Sequence, residues 1–296
     1  MKIYDCFTFF NELELLELRL ETFYDIVDCF VIVEADRTHA DVPKPFNFYE
    51  HVADFRKYLP KIHYIMDRSR VPYRGVGDWS LENHQRNNII KGLEDAEPDD
   101  LIMVGDVDEF PDPATLKTLR ESFTDPNKFV DFIAFYDTTP YTKGKLVPFH
   151  SGMRINNFLD LSPVGCQQNF HCYYFDWVCR HLPWSGTVIG KFKFMKKPQA
   201  FRNARESLPR IVKGGWHFSN MGGIDKVLQK MAAAVECVEL SAKDAKYLDR
   251  DYVEQAMANG KYFQTAAKFV PCDVSEIKLP TLAAFLKKYP HFVRAR

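Results

Sequence analysis

Four short apolar runs separated by helical patterns constrain this chain more than any other feature. The runs occupy residues 3–7, 28–34, 61–66 and 101–105. Apolar runs this short, bounded by polar or turn-forming residues, read as buried strands. Between the first two, Leu13, Leu16, Leu20 and Phe23 recur at helical spacing, with Asn11 the expected N-cap and Glu14 its N3 partner. Further helices are expected over residues 46–59, over 80–94 with Ser80 as cap, and over 112–123, where Asp112 and Pro113 supply the cap and first helical residue. Strand and helix thus alternate four times in residues 1–125, and such alternation predicts an α/β fold with a parallel sheet.

Beyond residue 125 the pattern changes. Strand-like runs at 131–136, 170–175 and 187–194 are broken by Gly, Pro and Asn. Helices are expected at 224–240, 251–258 and 281–289. Nothing resembles a repeat or a linker, so one domain over residues 1–296 is the simplest organisation, with an irregular second half. The 39 basic and 40 acidic residues leave a net charge of −1, which argues against nucleic acid as the main partner. The seven cysteines form no Cys-x-x-Cys pair and suit buried free thiols in a reducing compartment. The start lacks a signal-peptide pattern and the chain has no apolar stretch of membrane-spanning length, so a cytoplasmic protein is expected, with peripheral attachment to a membrane surface as the other option. Oligomeric state is not legible.

The fourth apolar run ends in Asp106-Val107-Asp108-Glu109, followed by Pro111. Acids just beyond a parallel strand stand where open α/β sheets keep their ligand sites. Asp106 and Asp108 are two residues apart, so on extended backbone they share a face. A hard divalent cation, Mg²⁺ or Mn²⁺, would relieve their mutual repulsion, and such ions are often held by one or two carboxylates plus substrate phosphates. A plain acidic turn is the alternative. Glu109 is expected to turn away and brace the loop.

Other groups join this cluster. Glu34 ends the second run, where an acid can bond a ribose or a base. Glu82, Gln85 and Arg86 share one helix face, placing Arg86 to reach a diphosphate or to brace the acids. His217 lies between Trp216 and Phe218 and is a possible third ligand for Mn²⁺. Trp184 and Trp216 are candidate sugar platforms, with burial in the core as the default for each. No P-loop, dinucleotide fingerprint or nucleophile elbow occurs in the sequence.

Five stretches, in this order, carry a family likeness: IYDCFTFFNELELLELRL, FVIVEADRTHADVPKPF, WSLENHQRNNIIKGL, DDLIMVGDVDEFPDP and GGWHFSNMGGIDKVLQK. Together they resemble glycosyltransferase family 17. The resemblance implies a GT-A fold, with a mostly parallel central sheet flanked by helices. It further implies a nucleotide-sugar-binding half over residues 1–125 and an acceptor-side half over 126–296. It implies inverting transfer of a sugar, with UDP-N-acetylglucosamine as expected donor, to a glycan hydroxyl. A Mn²⁺ or Mg²⁺ ion is expected on Asp106 and Asp108 with His217, and donor contacts on Glu34, Lys44, Arg86 and Asp106. The general base is expected at Glu236, or failing that Asp225. Two departures from the family pattern, Asp41 in place of glycine and Ala234-Val235-Glu236 in place of a His-x-Glu, bear on which sugar is used. A metal-dependent phosphohydrolase and a non-catalytic glycan-binding protein remain as rival readings.

Overall fold

The computed structural model describes residues 1–137, 146–149, 154–263 and 267–294. Part of the expected irregular middle, residues 138–145 and 150–153, lies outside them.

The front half folds as the alternation predicts. In chain order it runs β1 (Ile3–Phe9), α1 (Leu13–Phe23), β2 (Cys29–Ala35), α2 (Asn47–Glu50), β3 (Ile62–Asp67), α3 (Ser80–Asn87) and β4 (Leu101–Asp106). The four strands pair in parallel, in spatial order β3-β2-β1-β4. Their side chains alternate between two apolar clusters. Ile3, Phe7, Phe30, Ile32, Leu101 and Met103 face one, while Tyr4, Cys6, Val31, Val33, Ile102 and Val104 face the other. Burial on both faces is why β1, β2 and β4 read as continuous apolar runs, while β3 at the sheet edge is half-buried.

Several helix boundaries differ from expectation. Asn11 does not cap α1; the residue before the helix is Glu12, whose carboxylate accepts from the backbone N–H groups of Phe10 and Asn11. Ser80 likewise makes no capping bond: it is the first residue of α3, and its hydroxyl donates to the Pro72 carbonyl. The segment 46–59 breaks after Glu50 into a 3-10 turn over Val52–Phe55. Asp112 does cap as expected, accepting from Thr115 N at 2.9 Å.

The rest comprises β5 (Glu109–Pro111), α4 (Pro113–Ser122), β6 (Phe132–Asp137), β7 (Leu146–Phe149), α5 (Ile155–Phe158), β8 (Val164–Cys172), β9 (Trp177–Lys191) and α6 (Pro198–Asn203). There follow β10 (Arg210–Ile211), β11 (Gly215–Ser219), α7 (Ile224–Met231), α8 (Val235–Lys243), α9 (Arg250–Ala258), β12 (Val270–Pro271) and α10 (Leu282–Lys288). β9 is the main surprise. It runs antiparallel to both β4 and β8, so the sheet is mixed rather than mostly parallel. Pro183 and Gly186 made this stretch look interrupted. In the fold a Cβ at Gly186 would sit 1.8 Å from Gln168 Oε1 on the neighbouring strand, so glycine leaves room for that side chain. The expected helix over 224–240 is two helices, broken at Ala232–Ala234. All seven cysteines are free thiols, and six are buried. Among the described residues no helix is long and apolar enough to cross a membrane.

Candidate active site

The carboxyl ends of β1 and β4, the loop after β2, α3, β9, β11 and the α7–α8 break surround one cleft. Its lining includes Lys44, Glu82, Arg86, Asp106, Asp108, Trp184, His217, Lys230 and Glu236. This is where ligand sites sit in sheets with parallel strands.

Asp106 is the last residue of β4. Arg86 Nη2 donates to its Oδ1 at 2.7 Å, and Arg202 Nη2 lies 3.3 Å from its Oδ2. Burial alone would raise its pKa; the two guanidinium groups outweigh burial and hold the carboxyl well below the usual range. Arg86 is itself held, donating from Nη1 to Glu82 Oε1 at 2.8 Å and to Gln199 Oε1 at 2.7 Å. It therefore orients Asp106 rather than waiting free for a phosphate.

Glu109 is fully buried and acts as a brace. Its Oε1 accepts from Trp184 Nε1 at 2.7 Å and from Arg202, and its Oε2 accepts from Asp106 N at 3.3 Å. Gly105 makes room for it, since a Cβ there would come within 2.9 Å of Glu109 Oε2.

Asp108 faces a different set of groups. Its Oδ1 lies 3.4 Å from His217 Nε2 and its Oδ2 3.3 Å from Lys230 Nζ. Burial opposes its ionisation, but Lys230 and His217 bring its pKa down to about 2. Burial likewise opposes the Lys230 charge, and Asp108 outweighs it, leaving that ammonium well above its ordinary pKa. The His217 ring stacks on Trp184, at 4.3 Å between centroids, and on Phe170, at 5.1 Å, and these two rings lie 5.3 Å from each other. Its buried Nδ1 has no hydrogen-bond partner among the described residues. Stacking thus orients the ring in place of the second-shell bond that usually orients a metal-bound histidine.

Among the described residues no three His, Cys, Asp or Glu side chains form a ready cation cage. The Asp108 carboxylate and the His217 imidazole nevertheless present two facing donors, 3.4 Å apart. An oxygen and an imidazole nitrogen suit Mn²⁺ or Mg²⁺, which commonly take their remaining ligands from substrate phosphates and water. The donor set therefore fits an ion that arrives with a diphosphate.

Not every expected residue reaches the cleft. Glu34 is fully buried; it accepts from Lys44 Nζ at 2.8 Å, from Asn47 N at 2.6 Å, from Phe48 N at 3.0 Å and from Tyr64 Oη at 2.8 Å. With both oxygens occupied it anchors α2 and Lys44 rather than facing a ligand, while Lys44 does line the cleft. Asp225 points to solvent at 74% side-chain exposure and pairs with Arg250, so it is not placed as a base. Trp216 is a core residue at 5% exposure. Trp184 lines the cleft as expected. Glu236 enters it from the first turn of α8, and burial together with the nearby Glu82 charge pushes its pKa up.

Sequence reasoning missed Arg202, Lys230 and Arg19. Arg19 Nη2 and Nε bond both oxygens of Asp5, at 2.6 and 2.8 Å, and Nη1 reaches the backbone carbonyls of Asp106, Val107 and Glu109. It thereby sets the shape of the acidic turn from beneath. An arginine among the apolar positions of α1 was the available signal.

A second cavity of about 500 Å³ adjoins the cleft and shares Glu82, Arg86, Asp106, Trp184 and Glu236 with it. Its other walls are Trp79, Asn83, Gln199, Arg202, Asn203 and Arg205.

Fold and site together describe an α/β protein with a mixed sheet and a cation-flanked acidic cleft at the ends of parallel strands. Residues 1–130 match the family described as glycosyltransferase family 17, so the likeness seen in the motifs holds over that part of the chain. Over 127 residues the chain is 27% identical to the human (Homo sapiens) protein named beta-1,4-mannosyl-glycoprotein 4-beta-N-acetylglucosaminyltransferase. The rat (Rattus norvegicus) and mouse (Mus musculus) proteins of the same name are 27% and 26% identical over the same length. In each case the match covers 40% of this chain and 24% of the relative, so the chain spans about a quarter of these proteins.

Proposed function

We propose that this chain is a GT-A-type, inverting glycosyltransferase that moves a sugar from a nucleotide diphosphate sugar to a glycan hydroxyl. UDP-N-acetylglucosamine is the donor we favour, given the name of the relatives. The observation that carries this reading is the Asp106–Asp108 turn at the end of β4. One acid is locked by two arginines, and the other is paired with a histidine and a lysine in an open cleft.

The chemistry divides among these residues. Asp108 and His217 would hold a divalent cation, which supplies electrostatic stabilisation of the leaving diphosphate when bound. Arg86 and Arg202 keep Asp106 ionised and in place. Lys44 and Lys230 bring positive charge to the same cleft. Glu236 takes the proton as the acceptor oxygen bonds to the anomeric carbon and the bond from that carbon to the phosphate oxygen breaks, releasing UDP. Alignment of the two substrates provides much of the rate.

Glu236 sits between Glu82, Lys230 and His39 in its electrostatic surroundings. A base must be ionised to act, and its pKa is raised. The acid limb of the rate profile is therefore expected above the ordinary carboxylate range, with activity falling as pH drops through it. Glu236→Gln should lower turnover about 10²-fold or more with donor KM retained. Glu82→Gln removes a raising charge and should move the acid limb to lower pH. An unchanged rate in Glu236→Gln removes it as base.

The reaction class is tested by assaying UDP release from UDP-N-acetylglucosamine with Mn²⁺, beside phosphate release from p-nitrophenyl phosphate. Manganese-dependent UDP release alone supports transfer. Phosphate release alone points to a phosphohydrolase, and neither activity to a binding protein.

A further inference from the structure

The second cavity meets the cleft at Asp106, Trp184 and Glu236, which line both. A ligand within it would meet a donor at those shared residues. Trp79, which stands just before α3, is 41% exposed and presents an indole to this space. Asn83 stands one helical turn further on. The opposite wall is α6 and the turn after it, with Gln199, Arg202, Asn203 and Arg205.

Charge decides what kind of ligand suits this space. Arg86, Arg202 and Arg205 are matched in number by Glu82, Asp106 and Glu236 along the walls. Arg86 and Arg202 are already committed to Glu82, Asp106 and Glu109. Gln199 is committed as well, accepting from Arg86 and donating to Asn203 Oδ1 at 2.8 Å. That bond occupies the Asn203 carbonyl and leaves its amide N–H groups for a ligand. Walls of balanced charge with amide N–H groups and two indoles, Trp79 and Trp184, suit hydroxyls and C–H surfaces rather than an anion.

Resting on the transferase reading, we infer that this cavity is the acceptor subsite, that it takes a neutral sugar, and that Trp79 is its stacking platform with Asn83 and Asn203 bonding hydroxyls. The acceptor then touches the front half of the chain through α3. This differs from the expectation that the acceptor side lies wholly within residues 126–296.

Saturation-transfer NMR on the full chain with UDP and Mn²⁺ present tests this, using methyl β-mannopyranoside as the neutral probe and methyl β-glucuronide as the anionic one. UDP binding is measured in parallel by calorimetry. The expected result is transfer to the C–H protons of the mannoside, at least fivefold weaker in Trp79→Ala and largely kept in Trp79→Phe. UDP affinity should stay within about twofold in both variants. Equal transfer in Trp79→Ala, no transfer to the mannoside in the native protein, or stronger binding of the glucuronide, each with UDP still bound, overturns the subsite. Loss of UDP binding by the native protein overturns the donor reading instead.

Discussion

Asp108→Asn is expected to lower sugar transfer by about 10²- to 10³-fold, the scale of losing one stabiliser of charge developing on a leaving group. The substitution keeps shape but removes charge. Asp108 is the acid whose surroundings are built for a cation: it is 5% exposed, carries a pKa of about 2 and has His217 and Lys230 on separate oxygens. An asparagine leaves Lys230 without its carboxylate partner, but the lysine side chain is one-quarter exposed and lines the open cleft. The variant should therefore fold, with a circular dichroism spectrum like that of the native chain. Donor affinity in manganese should fall with the rate. A folded Asp108→Asn variant with native turnover would remove Asp108 from the mechanism.

Arg19→Met is expected to be the most destabilising single change in the front half. Both partners of the Arg19–Asp5 pair have no exposed side-chain surface. Breaking such a pair strands a buried charge and typically costs about 3–5 kcal/mol. For a chain of this size that corresponds to a Tm lower by on the order of 10 °C. Asp5→Leu combined with Arg19→Met removes both charges, and stability should largely return, as buried pairs replaced by apolar residues often show. Activity should not return with it. The guanidinium also holds the carbonyls of Asp106, Val107 and Glu109, so the acidic turn stays without its support in the double variant. Thermal denaturation followed beside UDP release separates the two roles. A double variant that recovers both would show that Arg19 serves only the core.

The front half was legible because its strands are buried on both faces and its helices show period and capping signals. Asp112 before Pro113 is an example of a boundary fixed by local chemistry. Other boundaries were not legible. Glu12 rather than Asn11 precedes α1 because its carboxylate finds the N–H groups of the preceding turn. Three alanines at 232–234 favour helix, yet the chain breaks there, and the break places Ala233, Ala234 and Glu236 on the cleft. β9 was hidden by Pro183, which lies where the register with β8 jumps from Cys179 to Trp184, and by Gly186, which lies against Gln168 of β8.

The site divides in the same way. Asp106, Asp108 and Glu109 announced themselves by density of charge after an apolar strand. Their counter-ions did not, because Arg202 and Lys230 lie 96 and 122 residues away in sequence. Glu34 shows the converse: an acid at a promising strand end is consumed by four hydrogen bonds to its own surroundings. Position at a sheet edge marks a candidate, and the partners decide its use.

The central claim is that the turn after β4 receives a diphosphate together with a divalent cation. Calorimetric titration of the native chain with UDP, first with Mn²⁺ and then with the metal chelated, addresses it directly. The account predicts saturable binding with Mn²⁺ that falls at least tenfold on chelation and returns when Mn²⁺ is restored. UDP binding of equal strength with and without the metal, or no UDP binding in either condition, would contradict it.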